Sequence, residues 1–424
     1  MTVGGGNSYT VRMQSLLILG RQPELGLAEL ESLYGSNAVQ AVGNHAALVD
    51  VDPCLLAFDR LGGSIKFCKV LTTLDTTTWR DIEDFLRKVA PGHAESMPEG
   101  KMRLGFSSLG MGASIKQLEI SGLSLKKAIR KTGRNVRLVP NKDHELTSAQ
   151  VLHNQLTGPT GWELVFVRDG SQTIIGQTVK VQDIEAYARR DRERPKRDAR
   201  VGMLPPKLAQ IIINLATGKL PEDKLASICD IPADAEIPRP QLGQTILDPF
   251  CGTGVILQEA TLMGYDVYGT DLEPRMIDYS KANLDWLAES YNLKTSTGDL
   301  DLGDATEHKW TKKIDFVASE TYLGRPFTAF PDKAVLAQTV TDCNLIIKRF
   351  LKNIHPQITP GTRLCLAIPA WQVRRDEFKR LPLVDQISDL GYNQVSFEHI
   401  GTDQLIYYRP DQIVARELIV ITRK

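Results

Sequence analysis

The second half of the chain alternates between short apolar runs and longer segments in which apolar residues recur every three or four positions. The short runs predict buried strands, and the longer segments predict amphipathic helices. Strands are predicted at residues 245–247, 266–270, 314–319, 363–368, 394–400 and 416–421, and helices at 274–290, 333–351 and 376–390. No helix separates the last two strands, which indicates a terminal antiparallel hairpin. This alternation predicts an α/β fold with a doubly wound parallel sheet over residues 202–424.

The first part of the chain mixes strands and helices in a different order. Strands at 15–19, 46–51 and 65–71 and helices at 23–34 and 53–61 predict a small ferredoxin-like α+β domain over residues 1–75. A second α+β domain is predicted over residues 76–183. Its helices are expected at 79–90, 123–132 and 146–156, and its strands at 101–109, 135–139, 162–168 and 173–181. Residues 184–201 are highly charged and are predicted to form a basic linker.

Residues 245–255, TILDPFCGTGV, combine a predicted strand with a glycine loop that opens a helix. A strand that leads into such a loop is how an α/β sheet approaches a nucleotide-like ligand. Gly252 and Gly254 allow the backbone to turn tightly and to come close to that ligand. A Gly-x-Gly pair alone is weak evidence, but here Asp248, Pro249, Phe250 and Cys251 precede it. An ordinary tight turn without a ligand is the alternative.

A second carboxylate, Asp271, ends the next predicted strand. It lies about 20 residues after the glycine loop, where an acid reaches a pair of ribose hydroxyl groups. The loop reads G-T-G-V-I-L and not G-x-G-x-x-G, so it is poorly matched to a pyrophosphate. Asp248 would repel a phosphate and suits a ligand with a cationic amino-acid end. S-adenosyl-L-methionine has both that end and a ribose.

The DPFCGTG segment followed by Asp271 resembles motifs I and II of class I S-adenosylmethionine-dependent methyltransferases, whose fold is Rossmann-like. The form with a cysteine is similar to the RNA guanine-N2 methyltransferases that carry a THUMP domain, the archaeal and eukaryotic tRNA guanine-10 type. The resemblance implies S-adenosyl-L-methionine as the cofactor. It assigns the cofactor to Asp248, Pro249, Phe250, Gly252, Thr253, Gly254, Asp271, Leu272, Asp304 and Ala305. In the segment 297–305, Asp299 competes with Asp304 for contact with the adenine, and a merely solvated acidic loop is the alternative.

The target-base motif departs from that family. Relatives usually carry Asp/Asn-Pro-Pro-Tyr after the fourth strand, whereas residues 319–324 here read SETYLG. The candidate catalytic residues are Ser319, Glu320 and Tyr322. Glu320 could accept hydrogen bonds from an exocyclic amine, and Tyr322 could stack on a base that has left its helix. The altered motif leaves the methylated atom open.

Two basic segments suggest contact with a polynucleotide. Between residues 121 and 142 there are seven basic residues and no acid, and this stretch resembles a THUMP domain, an RNA-binding module. Phosphate contact is one interpretation and a solvated surface is the other. The linker has two equally supported interpretations: its arginines bind an RNA backbone, or it is only a charged connector. The predicted RNA-binding residues are Lys126, Lys127, Arg130, Lys131, Arg134, Arg194 and Arg197.

Composition adds limits to this picture. The 424 residues carry no net charge, but residues 1–200 hold 27 basic and 22 acidic side chains, so the front half is basic and the rest acidic. No apolar run approaches a membrane span, no signal peptide is recognised, and the six cysteines form no C-x-x-C pair. We therefore expect a cytoplasmic protein without a metal site and without contact with membranes.

The leading hypothesis is a methyltransferase that uses S-adenosyl-L-methionine to modify the N2 amine of a guanine in tRNA. A small activator subunit, which some relatives need, stays open, and we expect a monomer. Two alternatives remain at this point. One is an RNA-binding protein that keeps the cofactor pocket but has lost methyl transfer. The other is a DNA or protein amine methyltransferase.

Overall fold

The computed structural model describes residues 14–51, 55–198, 204–221, 242–293, 298–327, 329–374, 377–410 and 412–424. The chain divides into two compact units. The first unit comprises residues 1–18, 38–56 and 65–182, and the second comprises residues 19–37, 57–64 and 183–424. The helices of the described residues, in chain order, are α1 Pro23–Tyr34, α2 Trp79–Ser96, α3 Ile115–Arg130, α4 Ser148–His153, α5 Ile184–Arg192, α6 Pro206–Thr217, α7 Val255–Leu262, α8 Pro274–Ser290 and α9 Lys333–Ile354. None of these helices is long and apolar enough to cross a membrane.

The first unit is built on one eight-stranded sheet. Its strands are β1 Ser15–Leu19, β2 Val39–Val42, β3 Ala46–Val49, β4 Ser64–Leu74, β5 Met102–Leu109, β6 Val136–Leu138, β7 Gly161–Asp169 and β8 Gln172–Val181. Their order in the sheet is β2-β3-β1-β4-β8-β7-β5-β6. Helices α2 and α3 contribute Ile82, Leu86, Leu125 and Ile129 to an apolar core that also contains Phe106 of β5. A capping box of Ser114 and Gln117 fixes the start of α3.

This sheet crosses the predicted domain boundary at residues 75–76. Strand β4 pairs with β8 from Lys66 opposite Val181 to Leu74 opposite Thr173. The two predicted α+β domains therefore share one sheet. The predicted N-terminal domain also loses helix α1 and residues 57–64 to the second unit. The local pattern could not show this, because the pairing joins residues about a hundred positions apart.

The second unit has the doubly wound sheet that the apolar pattern predicts. Its strands are β9 Thr245–Asp248, β10 Asp266–Asp271, β11 Asp299–Leu302, β12 Phe316–Glu320, β13 Arg363–Arg374, β14 Glu377–Lys379, β15 Tyr392–Gln394, β16 Ile406–Tyr407 and β17 Val414–Arg423. The main order is β11-β10-β9-β12-β13-β17-β15. The first five strands of this order are parallel, and β17 runs antiparallel between β13 and β15. The predicted antiparallel end of the sheet is thus present.

Helices α1 and α6 pack together within the second unit. Glu29 of α1 is fully buried and accepts hydrogen bonds from the backbone N–H groups of Gly62 and Gly63, at 2.9 and 2.8 Å, and from the Asn214 amide of α6 at 2.7 Å. Burial raises the pKa of Glu29 to about 7 despite these bonds. This buried carboxylate ties residues 57–64 to helices α1 and α6 of the second unit.

Several predicted elements differ from the observed ones. The helix predicted at 376–390 is replaced by the short strand β14 and by 3₁₀ turns at Pro382–Gln386 and Ser388–Leu390, because Pro382 cannot continue a helix from the residues before it. The strand predicted at 394–400 is confined to Tyr392–Gln394. Of the helix predicted at 53–61, the structure shows a 3₁₀ turn at Phe58–Arg60, and residues 52–54 lie outside the described residues. Helix α5 lies where a linker was expected and packs against α6.

Candidate active site

The strand order of the second sheet reverses at β9, which has β10 on one side and β12 on the other. In open α/β sheets, ligands bind outside the carboxyl ends of the strands at such a point. A cavity of about 930 Å³ is lined by the residues that follow β9, β10, β11 and β12 and by one face of α9. Its size lies within the range of roughly 300–1,000 Å³ that is typical of ligand sites.

The glycine loop forms one wall of this cavity. Gly252 and Gly254 have φ angles of +52° and +78°, which side chains rarely tolerate. A Cβ atom on Gly252 would meet no atom within 4 Å, so the loop leaves open space there for a ligand. A Cβ atom on Gly254 would lie 2.9 Å from Ser280 Oγ. Gly254 is not among the described residues that line the cavity, and it serves the turn and the packing of α7 against α8.

Asp271 at the end of β10 is held by the same loop. Its Oδ2 accepts a hydrogen bond from Gly252 N–H and its Oδ1 accepts one from Glu273 N–H, both at 2.9 Å. Burial raises the pKa of Asp271, and these backbone bonds oppose that shift. A carboxylate has about four acceptor positions, so two remain for hydroxyl groups of a ligand. Leu272, whose side chain is 66% exposed, lines the cavity beside it.

Asp248 is the most buried carboxylate of the cavity wall, at 2% exposure. Its Oδ1 accepts hydrogen bonds from Ser319 Oγ at 2.6 Å and from Phe250 N–H at 3.3 Å. Burial raises the pKa of Asp248 to about 7, and the charges of Asp271 and Glu320 add to the increase. A cationic ligand group would restore its charge. Ser319 is fully buried and is committed to Asp248, so its position favours a supporting role over contact with a substrate.

The structure distinguishes the two acids of the third cofactor segment. Asp304, Ala305 and Thr306 line the cavity, and Asp304 Oδ1 accepts a hydrogen bond from Thr306 N–H at 2.8 Å. Asp299 lies at the start of β11, where it forms an ion pair with Lys312. The cavity therefore favours Asp304 as the acid that faces a ligand.

These residues fit S-adenosyl-L-methionine. The loop leaves space next to Gly252, Asp271 offers acceptor positions for ribose hydroxyl groups, and buried Asp248 suits a cationic amino-acid end. Pro249, Phe250 and Thr253, which are predicted to bind the cofactor, also line the cavity. The site has carboxylates at positions where a dinucleotide site would need groups that attract phosphate.

Glu320, at the end of β12, forms an ion pair that local sequence does not reveal. Arg416 of β17 donates from Nε to Glu320 Oε1 at 2.6 Å. The side chains of Arg416 and Glu320 are only 7% and 15% exposed. Glu320 lines the cavity, so its carboxylate is available at the wall while Arg416 fixes its orientation. A charge-assisted bond of this kind is stronger than a neutral one.

Tyr322 and Gly324 complete the altered target-base motif. The side chain of Tyr322 is 44% exposed and lines the cavity, which suits an aromatic ring that stacks on a base. Gly324 has φ of +86°, and a Cβ atom there would lie 2.7 Å from Thr339 Cγ2 and 3.3 Å from Cys343 Sγ of α9. The motif is thus pressed against α9, and only glycine permits this approach.

The basic residues of the first unit lie on and after α3. Lys127, Arg130 and Lys131 are exposed, and Lys126 is half-buried. The opposite face of the helix buries Leu125 and Ile129 in the core, which explains why the basic residues face solvent. Four of the seven predicted RNA-binding residues are therefore grouped on one surface.

The other three predicted RNA-binding residues are placed differently. The Arg134 guanidinium donates to the carbonyl oxygens of Ala94, Met97 and Pro98, where it satisfies the unpaired carbonyl groups at the end of α2. Arg194 is only 3% exposed and lies 3.7 Å from Asp191, so it is not displayed to a polynucleotide. Burial lowers the pKa of Arg194. The structure thus corrects the expected roles of Arg134 and Arg194 as phosphate contacts, because both guanidinium groups face the protein. Arg197 is exposed and donates to the Arg192 carbonyl at 3.2 Å.

Sequence reasoning missed some residues of this site. Arg416 carries no local signal, because it lies 96 positions after its partner. Asp342, Leu345, Ile346 and Arg349 of α9 also line the cavity. Their i, i+3, i+4, i+7 spacing indicates one helix face, but the same spacing is typical of a core-facing stripe, so the pattern alone could not identify them.

Comparisons with known proteins relate the second unit to methyltransferases. A family model described as "Methyltransferase domain" matches residues 241–400, which include the glycine loop, Asp271 and the motif at 319–324. A second model, "DNA methylase", matches residues 139–282 and does not reach that motif. The structure of TrmN from Thermus thermophilus covers 97% of this chain and all of its own, with a TM-score of 0.52 and 16% identity. The predicted class I methyltransferase fold is thus confirmed.

Curated relatives give the finer resemblance. The tRNA (guanine(10)-N2)-dimethyltransferase of Methanothermobacter thermautotrophicus is 27% identical over 168 residues, which are 40% of this chain and 39% of the relative. The match therefore spans about two fifths of that relative's length. The protein of the same name from Pyrococcus abyssi is 25% identical over 279 residues, which are 62% of this chain and 71% of the relative. Over these stretches the chain is similar to the tRNA (guanine(10)-N2)-dimethyltransferases, and its second unit has the class I methyltransferase fold.

Proposed function

We propose that this protein methylates the exocyclic N2 amine of a guanine in tRNA. The observation that carries the proposal is one cavity in which a cofactor half, Asp248 and Asp271, adjoins a base-binding half, Glu320 and Tyr322. The choice of tRNA as substrate and of guanine as target base comes from the names of the relatives, since both are tRNA (guanine(10)-N2)-dimethyltransferases.

The cofactor half of the cavity binds and orients S-adenosyl-L-methionine. Asp271 accepts hydrogen bonds from the ribose hydroxyl groups, Asp248 pairs with the amino-acid end, and Asp304 with Ala305 contacts the adenine. Bound S-adenosyl-L-methionine supplies an electrophilic methyl group. Because Asp248 is buried, its ionised form depends on a nearby cation, so the pocket selects a cationic ligand.

The base half prepares the amine. The lone pair of a guanine N2 is delocalised into the ring, and an acceptor that binds its N–H groups favours a pyramidal nitrogen whose localised lone pair points at the methyl group. Glu320 provides that acceptor, and Arg416 holds it in one orientation at 2.6 Å. Tyr322 stacks on the extruded base. Positioning of this kind supplies much of the rate in such a transfer.

The basic surface of α3, with Lys126, Lys127, Arg130 and Lys131, contributes phosphate contacts to tRNA in this proposal. The support is its exposure and the absence of acidic residues between positions 121 and 142 of the sequence. A THUMP-type role for the first unit, a monomeric state, a small activator subunit and a cytoplasmic location stay predictions from the sequence.

The test is methyl transfer from labelled cofactor to bulk tRNA, with duplex DNA and a protein mixture as competing acceptors. We expect label in tRNA, and N2-methylguanosine or N2,N2-dimethylguanosine after digestion and mass spectrometry. Label in DNA or protein would reassign the substrate. Cofactor binding without label in any acceptor would favour an RNA-binding protein that has lost transfer.

A further inference from the structure

Helix α9 contributes a face to the cavity that neither the glycine loop nor the motif at 319–324 explains. The helix buries Cys343, Ile347, Phe350 and other residues in the core. Next to this buried face runs a stripe that lines the cavity, Asp342, Leu345, Ile346 and Arg349. Leu345 is 46% exposed, and a carboxylate and a guanidinium lie at the two ends of the stripe. We call these four residues the α9 stripe.

The α9 stripe and the target-base motif are two walls of the same recess. Gly324 packs so closely on α9 that an added Cβ atom would lie within 3.3 Å of both Thr339 and Cys343 side-chain atoms. Tyr322 and Asp342 both line this recess. Burial raises the pKa of Tyr322, and the negative charge of Asp342 adds a smaller contribution in the same direction. Any base that stacks on Tyr322 therefore lies beside the α9 stripe.

The chemistry of the stripe is that of a guanine site. Guanine has donors, N1–H and N2–H, on one edge and acceptors, O6 and N7, on the other. A carboxylate accepts from the first edge, and an arginine donates two hydrogen bonds to the second. Adenine offers neither pair, because its N6 amine puts a donor beside N7 and its N1 is an acceptor.

The spacing is compatible with one base. Seven residues of helix separate Asp342 from Arg349, about 10 Å along the axis, with the apolar side chains of Leu345 and Ile346 between them. Gln338, one turn earlier, donates from Nε2 to Asp342 Oδ1 at 2.8 Å and orients that carboxylate. Arg349 is exposed and free to reach into the cavity mouth, and no ion pair or hydrogen bond of its side chain is found among the described residues.

We infer that the α9 stripe is the specificity site for the target base, with Asp342 accepting from guanine N1–H and Arg349 donating to O6 and N7. Glu320 is then left to accept from the N2 amine. This inference rests on the proposed function and adds to it the residues that select guanine over other bases.

The experiment compares wild type, Asp342→Asn, Arg349→Met and the control Lys352→Met in methyl transfer to tRNA. Lys352 is an exposed lysine of α9 and is not among the described residues that line the cavity, so its variant removes the same charge from the same helix. Each enzyme is assayed on ordinary transcripts and on transcripts made with 7-deazaguanine, which lacks the N7 acceptor. Cofactor affinity is measured in parallel by calorimetry.

We expect Arg349→Met to lower kcat/KM about ten- to a hundredfold, the discrimination of one two-bond contact. Asp342→Asn should lower it less, because the amide oxygen still accepts one hydrogen bond without the charge. Cofactor affinity should stay constant in both variants, and Lys352→Met should match wild type. We also expect 7-deazaguanine to slow wild type and Lys352→Met but to leave the residual rate of Arg349→Met unchanged. If wild type transfers methyl groups to guanine and both variants match it, only this inference is wrong. If wild type places no methyl group on guanine, the proposed function fails and the inference falls with it.

Discussion

The ion pair between Arg416 and Glu320 gives the sharpest prediction about the site. Replacing Arg416 by Met removes a charge-assisted hydrogen bond of 2.6 Å and leaves the Glu320 carboxylate, only 15% exposed, without its partner. A fully buried pair broken in this way costs about 3–5 kcal/mol. Because Glu320 lines a cavity that admits water, we expect the lower figure of about 1.5–3 kcal/mol that applies to hydrogen bonds of charged groups.

A double-mutant cycle measures this pair directly. We expect Arg416→Met to lower the free energy of unfolding in urea by about 1.5–3 kcal/mol, and Glu320→Gln to lower it less, because the amide oxygen still accepts a hydrogen bond. The double variant should be more stable than the sum of the two losses predicts, with a coupling of about 1–3 kcal/mol. In methyl transfer, both single variants should lose kcat while cofactor affinity stays constant.

The control is the pair of Arg374 and Glu377, which is 3.8 Å apart and 83% and 59% exposed. Surface pairs of this kind contribute about 0–1 kcal/mol. A coupling between Arg416 and Glu320 no larger than that of the control would refute the view that Arg416 holds Glu320. Unchanged kcat in Arg416→Met, with a normal coupling energy, would restrict the pair to a role in stability.

Three further predictions concern the cofactor and the RNA. Asp271→Ala should weaken cofactor binding by about 1–3 kcal/mol in calorimetry, because the ribose hydroxyl groups and Gly252 N–H lose their acceptor. An unchanged affinity would show that Asp271 does not contact the cofactor. The pKa of Asp248 is raised to about 7, and a cationic ligand needs the charged form of this carboxylate. Cofactor affinity should therefore fall as the pH drops below about 7, by up to about tenfold per pH unit. Asp248→Asn should abolish this dependence of affinity on pH. Replacing Lys127, Arg130 and Lys131 together by Glu should weaken tRNA binding and flatten its dependence on salt concentration, measured by filter binding. A salt dependence equal to that of wild type would show that α3 does not contact the RNA.

The raised pKa of Asp248 also makes the free energy of unfolding depend on pH. Its ordinary pKa is 3.8 and burial raises it to about 7 in the folded protein, so between these values the folded protein binds a proton that the unfolded chain has released. This group therefore makes the free energy of unfolding decrease as the pH rises from about 4 to 7. Buried Glu29 acts in the same direction, since its pKa is raised from 4.5 to about 7. Asp248→Asn removes only the first contribution.

Local sequence was sufficient for the parts of the site that lie close together in the chain. The glycine loop, its strand and Asp271 all fall within residues 245–271. Apolar spacing, with Pro23 in the first turn, located α1 at Pro23–Tyr34, and the local pattern also located α8 at Pro274–Ser290. These features are set by backbone geometry and by side chains a few positions apart, which any reading of the chain can follow.

The tertiary structure decided what depends on distant partners. The pairing of β4 with β8 merges two expected domains into one sheet, Arg416 meets Glu320 across 96 positions, and Arg134 faces the end of α2 instead of solvent. Charge in a sequence says that a side chain can bind phosphate, but whether it meets a phosphate, a carboxylate or a carbonyl oxygen is settled by what the folded chain places beside it. Residue type therefore determined the chemistry available to this protein, and packing between remote segments determined which of those groups face the cavity.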